Sequence, residues 1–234
     1  MPFKEVDVPS VGSVRLYKRK GAKHIRISIA SNGEVRVTLP AWAPYRMGYE
    51  FAITKSEWIN SRKPVPTVLA DKGQVGKAHR LYFAATANTD KIRTRIKGQG
   101  VWVYVPQGVD RNSPEVQKAA GKAAAKVLTL EAERLLVPRL KVLALEHGFT
   151  YRSVMVKRLR GRWGSCNQHT DIVLNCFLMQ LPWHLIDYVL LHELLHTRIM
   201  SHGQPFWREL EKFVPDLSEK RKEIRRYHPV LKTS

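Results

Sequence analysis

Two stretches of strict alternation decide most of what this chain can fold into. Residues 25–40 read IRISIASNGEVRVTLP, with Ile25, Ile27 and Ile29 before Asn32-Gly33 and Val35, Val37 and Leu39 after it. A period of two puts each apolar set on one face of a strand, and Asn-Gly tolerates the positive φ of a tight turn. Residues 92–106, IRTRIKGQGVWVYVP, repeat the pattern: Ile92, Thr94 and Ile96, then Gly98-Gln99-Gly100, then Val101, Val103 and Val105. A helical stretch follows each hairpin: YRMGYEFAITKSEWINSRK after the first, the Ala- and Leu-rich residues 113–147 after the second. Two copies of a hairpin-helix unit are too few for a solenoid, so they share one sheet or form two small ones. Residues 61–78, with Pro, Gly and charge, read as a connector.

Beyond the second hairpin the pattern changes. The helix over 113–147 carries Pro138, where a bend is expected, and Gly148 suits its C-terminal end. SVMVKRLRGRWGSCN and DIVLNCFLM then read as two short strands, with a turn near Gln168–Thr170. Pro182 sits where a helix can start, over 183–200, and Pro205 opens another, PFWRELEKF. The expected class is α+β. Hairpin and helix units occupy residues 1–110, and a domain with a small antiparallel sheet occupies 111–234.

The chain has 234 residues, ample for a buried core, and a formal net charge of +20. The basic excess is present in both halves, so it is not one basic arm. A surface of this kind attracts polyanions, and nucleic acid is a possible partner. The basic run EKRKEIRRYH, 219–228, reads mainly as a solvated helix face. Two cysteines, Cys166 and Cys176, cannot make a secreted-type disulfide framework. MPFKEVDVPS has no apolar run of the signal-peptide kind, and no stretch is long enough to span a bilayer. The expectation is a cytoplasmic protein with no membrane partner.

The chemistry concentrates in HELLHTRIMSH, residues 192–202. On a helix, positions i and i+4 share a face, so His192 and His196 point the same way, as two imidazole ligands of one ion must. Glu193 is displaced by roughly 100° of helical rotation, beside such an ion but angled away from ligation. A carboxylate there can take a proton from the ion's water. An open zinc site needs three protein ligands, and His202, beside Gly203 where the chain can turn back, is the candidate third. The spacing H-E-x-x-H-x5-H lacks the Gly of the metzincin pattern H-E-x-x-H-x-x-G-x-x-H, because Ile199 stands at that position.

RWGSC at 162–166, HELLH at 192–196 and HGQPFW at 202–207, in this order, resemble the YgjP-like metallopeptidases, relatives of the SprT-like proteases. The early hairpin followed by SEWI at 56–59 is similar too, and the likeness covers roughly residues 12–228. The resemblance implies a zincin-like, gluzincin-like hydrolase domain with Zn2+ on His192, His196 and His202 and Glu193 as base. Leu195 departs from it, because a small residue is more usual there.

Cys166 near His169 can suggest a thiol nucleophile, but no helix is expected to begin after Cys166, and a packed thiol is the better reading. As a fourth ligand it would close the site. Arg158, Arg160 and Arg162 alternate along a stretch read as strand, so they would line one face and can hold a substrate carboxylate, phosphate or nucleic-acid backbone. Asn175 lies on the strand DIVLNCF, the candidate edge on which an extended peptide would add. Asp187 faces another side of the helix, and Trp207 is expected to pack. The expected function is zinc-dependent hydrolysis of a peptide or protein substrate. The alternatives are pyrophosphate release from nucleoside triphosphates, with the arginines holding phosphates, and a basic nucleic-acid-associated protein with a structural zinc.

Overall fold

A computed structural model describes residues 3–30, 33–62, 68–87 and 89–231, and it divides the chain into two compact units, Met1–Thr67 and Val68–Ser234. In the first unit, strands β1 (Phe3–Val8), β2 (Gly12–Arg19), β3 (Arg26–Ile29) and β4 (Val35–Pro40) form a sheet of order β1-β2-β4-β3. Helices α1 (Tyr45–Thr54) and α2 (Ser56–Arg62) follow. The first hairpin pairs as its alternation requires, Ile27 with Val37 and Ile29 with Val35. Val35, Val37 and Leu39 are fully buried with Val14, Leu16, Ala52 and Ile59. Asn32 of the expected turn lies outside the described residues.

The second unit opens with the same design. Strands β5 (Gln74–Val75), β6 (His79–Thr86), β7 (Arg93–Lys97) and β8 (Gly100–Pro106) take the order β5-β6-β8-β7. In both sheets the outer pairs are antiparallel and the central pair, β2 with β4 or β6 with β8, is parallel. The copies therefore form two small sheets, and the repeated unit is four strands rather than a hairpin. The extra strands carry little alternation signal. β1 is exposed along most of its length, and β5, inside the expected connector, has two residues.

Helix α3 (Pro114–Glu146) runs unbroken through Pro138. An interior proline costs about 3 kcal/mol, which burial of Leu136, Leu140 and Leu143, each contributing about 1.5–3 kcal/mol, offsets. The helix ends in a Schellman turn. Phe149 N–H donates to the Ala144 carbonyl and Gly148 N–H to that of Leu145, with Gly148 at φ +66°. Val101, Val103 and Val105 of β8 join Val116, Ala120, Ala124 and Leu128 of α3 in one core. The boundary expected near residue 110 therefore falls inside the second unit, because the second hairpin needs α3 to cover its apolar face.

A third sheet, of order β10-β11-β9, comprises β9 (Ser153–Lys157), β10 (Gly164–Cys166) and β11 (Asp171–Asn175). The α+β class holds, but this sheet is mixed rather than antiparallel. The stretch 153–167 is two strands, β9 parallel to β11 and β10 antiparallel to it, on opposite sides of β11. Residues 158–163 are the loop that carries the chain across. A 3-10 turn, Cys176–Gln180, leads to α4 (Trp183–Leu195), α5 (Gln204–Glu211) and α6 (Leu217–Ile224). No described helix is long and apolar enough to cross a membrane.

Candidate metal centre

The helix α4 is apolar nearly all round and buried at nine of its thirteen positions, so its few polar groups sit inside the protein. His192 and Glu193 lie in its last turn, and His196 is its C-cap. The helix stops five residues short of the expected 200. Thr197 and Arg198 N–H close 3-10 bonds to the Leu194 and Leu195 carbonyls, and the Thr197 hydroxyl donates to Leu194 as well. His196 Nδ1 lies 3.0 Å from the Ile199 carbonyl, holding the departing chain as it curls back. His202 is then fixed from behind by Trp207, whose indole Nε1 donates to the His202 carbonyl at 2.9 Å.

These turns bring three imidazoles together. The Nε2 atoms are 3.2 Å apart for His192–His196, 3.1 Å for His196–His202 and 3.0 Å for His192–His202. Zinc–nitrogen bonds of about 2.0–2.1 Å in tetrahedral geometry place ligand nitrogens about 3.3–3.4 Å apart, so the triangle fits such an ion closely. The tautomer fits as well. A carbonyl can only accept, so His196 Nδ1 carries the proton and Nε2 of the neutral ring keeps its lone pair. Burial and the two neighbouring imidazoles lower His192 to about 3, and burial lowers His196, so both are neutral at pH 7. Phe206, fully buried, stacks on His196 with centroids 4.7 Å apart and stiffens the ring's position. Among the described residues, these three histidines form the one group of His, Cys, Asp or Glu able to hold a metal ion.

Glu193 is buried, and among the described residues its Oε2 has no hydrogen-bond partner. Burial raises its carboxyl to about 8, with the Arg162 charge opposing. Its place is defined by Gly164 of β10: a Cβ there would lie 2.6 Å from Oε1 and 2.7 Å from Cγ. The glycine of RWGSC is thus the wall on which the carboxylate rests, a role that spacing alone did not reveal. Gly164→Ala is expected to displace Glu193, leaving metal content intact while lowering hydrolysis by about 10-fold or more. Metal analysis beside initial-rate assays on the variant checks this.

The electrostatics give a pH signature in metal-free protein. Glu193 titrates near 4.3 when unfolded and near 8 when folded, so between these values the folded state holds the extra proton. That contribution to stability is full below 4.3 and is lost as pH rises toward 8. His192 runs oppositely: its unfolded form protonates near 6.5 and its folded form near 3, so it destabilises as pH falls through that window. From pH 7 to 8 His192 is mostly neutral in both states, so Glu193 carries most of the change. The Tm of metal-free wild type should fall across that range relative to Glu193→Gln, as thermal melts at stepped pH will show.

The expected substrate residues fare differently. Arg158, Arg160 and Arg162 are exposed in the loop 158–163, so the strand alternation that aligned them does not exist. Arg158 lies over the Phe177 ring at 5.5 Å, and Arg162 is the arginine whose charge reaches Glu193. Asn175 is fully buried. Its Nδ2 donates to the Leu159 and Arg162 carbonyls at 3.0 and 2.7 Å, and its Oδ1 accepts from Phe177 N–H. These contacts use its amide to shape the arginine loop, so it is not free to meet a substrate. Its strand, β11, is the centre of the sheet; the edge beside Glu193 is β10. Asp187 forms a bidentate pair with Arg139 at 2.8 and 2.7 Å, away from the imidazoles. Cys166 is a half-buried thiol raised to about 11 by burial, so it is no thiolate nucleophile. Leu195 is fully buried in the core.

Three histidines converging at the end of a buried helix could together hold a metal ion. The sequence matches the YgjP-like, metallopeptidase domain over residues 23–227. The chain belongs to the YgjP-like metallopeptidase family, and with the histidine cluster this supports a metal-dependent peptidase. No match was found among curated proteins.

Proposed function

We propose that this protein is a zinc-dependent peptidase in which His192, His196 and His202 hold the ion and Glu193 is the general base. The observation that carries the reading is the Nε2 triangle with sides of 3.0–3.2 Å, together with a buried carboxylate in the last turn of α4 whose Oε2 has no hydrogen-bond partner among the described residues. Three nitrogen ligands suit zinc and would hold it with room for a water or substrate oxygen. When bound there, zinc would polarise a substrate carbonyl and acidify a water. Glu193 is the group placed to take a proton from an attacking water and to hand it to the leaving amine. Gly164 keeps the carboxylate at its station, and Arg162 favours its ionised form.

An extended substrate fits the free edge of β10, where backbone groups of Gly164–Cys166 can pair with a peptide beside Glu193. The test is hydrolysis by metal-free protein reconstituted with Zn2+, offered an unfolded protein or, separately, nucleoside triphosphates. Peptide cleavage that requires the metal supports the proposal. Pyrophosphate release without peptide cleavage would overturn it, and would assign the arginine loop to phosphate.

A further inference from the structure

We propose that the solvent face of the β5-β6-β8-β7 sheet binds a single-stranded polynucleotide, by a surface separate from the histidine cluster. The face is built rung by rung by the strand register. Tyr82 pairs with Trp102, and Trp102 pairs on its other side with Arg95. The next rung is Ala84, Tyr104 and Arg93; the one before is Arg80, Gly100 and Lys97. Side chains two residues apart share a face and lie about 7 Å apart along the strand. Leu81, Val101, Val103 and Val105 point the other way into the core, so these aromatics and cations are what the sheet shows to water. Arg80, Arg93, Arg95 and Lys97 are exposed, and Tyr82, Trp102 and Tyr104 are half-buried.

Three features distinguish this face from a merely solvated one. The Tyr82 and Trp102 rings stack, with centroids 4.6 Å apart and planes 18° apart. The indole also leans over Gly100, where a Cβ would lie 2.5 Å from Nε1, so a glycine makes room for the ring against the sheet. Between the rungs lies a shallow concavity of about 700 Å³ lined by Arg80, Tyr82, Lys97, Gly100 and Trp102 among others. Finally, none of the four strands carries an acidic residue.

The first unit supplies the comparison. Its sheet has the same order and also carries cations beside aromatics: Arg15 over Phe3 at 5.0 Å and Arg36 over Tyr17 at 6.0 Å. There carboxylates on β1 and just before β4 answer the two arginines beside the rings. Glu34 pairs with Arg15 and Arg36 at 3.0 and 2.5 Å, and Glu5 lies 3.9 Å from Arg15. On the second sheet, among the described residues, no carboxylate pairs with Arg80, Arg93, Arg95 or Lys97. A row of unanswered cations beside stacked rings calls for a partner with both regularly spaced negative charge and flat faces. A single strand offers phosphates and unstacked bases together, whereas a duplex hides its base faces. An acidic peptide offers the charge without the rings.

The test measures binding of a fluorescein-labelled oligothymidylate by anisotropy, using the full chain. Trp102→Ala, and separately Arg93→Glu with Arg95→Glu, are expected to weaken binding by roughly 10-fold or more. The double reversal should also flatten the slope of log K against log salt by about 1.4. Lys118→Glu with Lys122→Glu, on exposed positions of α3, changes net charge equally and should leave affinity within about threefold. Circular dichroism and metal content should match wild type in all variants. Equal weakening by the α3 pair, equally tight binding of a duplex, or equal competition by polyglutamate would each overturn the proposal, leaving only the attraction of a +20 chain for polyanions.

Discussion

Glu193→Gln is expected to keep the metal and lower peptide hydrolysis by about 10²–10⁴-fold. Glutamine has the same shape, so it fills the space against Gly164 without opening a cavity. It cannot act as a base, which is the role proposed for Glu193. The imidazoles are held by His196 to Ile199 and Trp207 to His202, and neither contact involves the carboxylate. Metal content and kcat/KM on an unfolded protein substrate separate the two effects. Hydrolysis at the wild-type rate would remove Glu193 from the mechanism, and simultaneous metal loss would show that it also supports the ligands.

His202→Ala should lower zinc affinity by about 10²-fold or more, with activity falling in parallel at limiting metal. His202 is exposed and lies outside the core, so the metal-free fold should melt as wild type does. His192 offers no such clean test, because it lies against Tyr188 and Phe206 inside the protein, and removing it would leave a cavity. Competition with a chelator of known affinity measures the loss. Unchanged zinc binding would mean that two histidines and some other group hold the ion. Trp207→Phe, which removes the donor to the His202 carbonyl and shrinks the ring beside His192, His202 and Arg221, leaves all three imidazoles in place and should weaken binding by less.

The metal helix was legible because its signal is local. Two histidines four apart on an apolar helix share a face whatever surrounds them, and the third needed only a turn nearby. The hairpins were legible for the same reason: Ile27 opposite Val37 follows from a period of two and a short turn. The strand carrying the arginines was misread because apolar and basic residues alternate through KRLRGR as they would in a strand. Asn175 overrides that local preference by drawing the Leu159 and Arg162 carbonyls onto its buried amide. Gly164 and Phe206 were visible only as letters within motifs of a similar family. Nothing in their own spacing says that one walls a carboxylate and the other stacks on a ligand.

The sequence by itself determined the three clustered histidines, the carboxylate next to the first of them and the repeated hairpins, all set by periodicity within a few residues. Tertiary structure alone decided which strand is the edge, where the units divide, and which of two similar sheets leaves the arginines beside its rings without a carboxylate among the described residues. Those properties depend on residues distant in the chain, whose hydrogen bonds and burial compete with local preference, and long-range pairing leaves no short-range pattern to read.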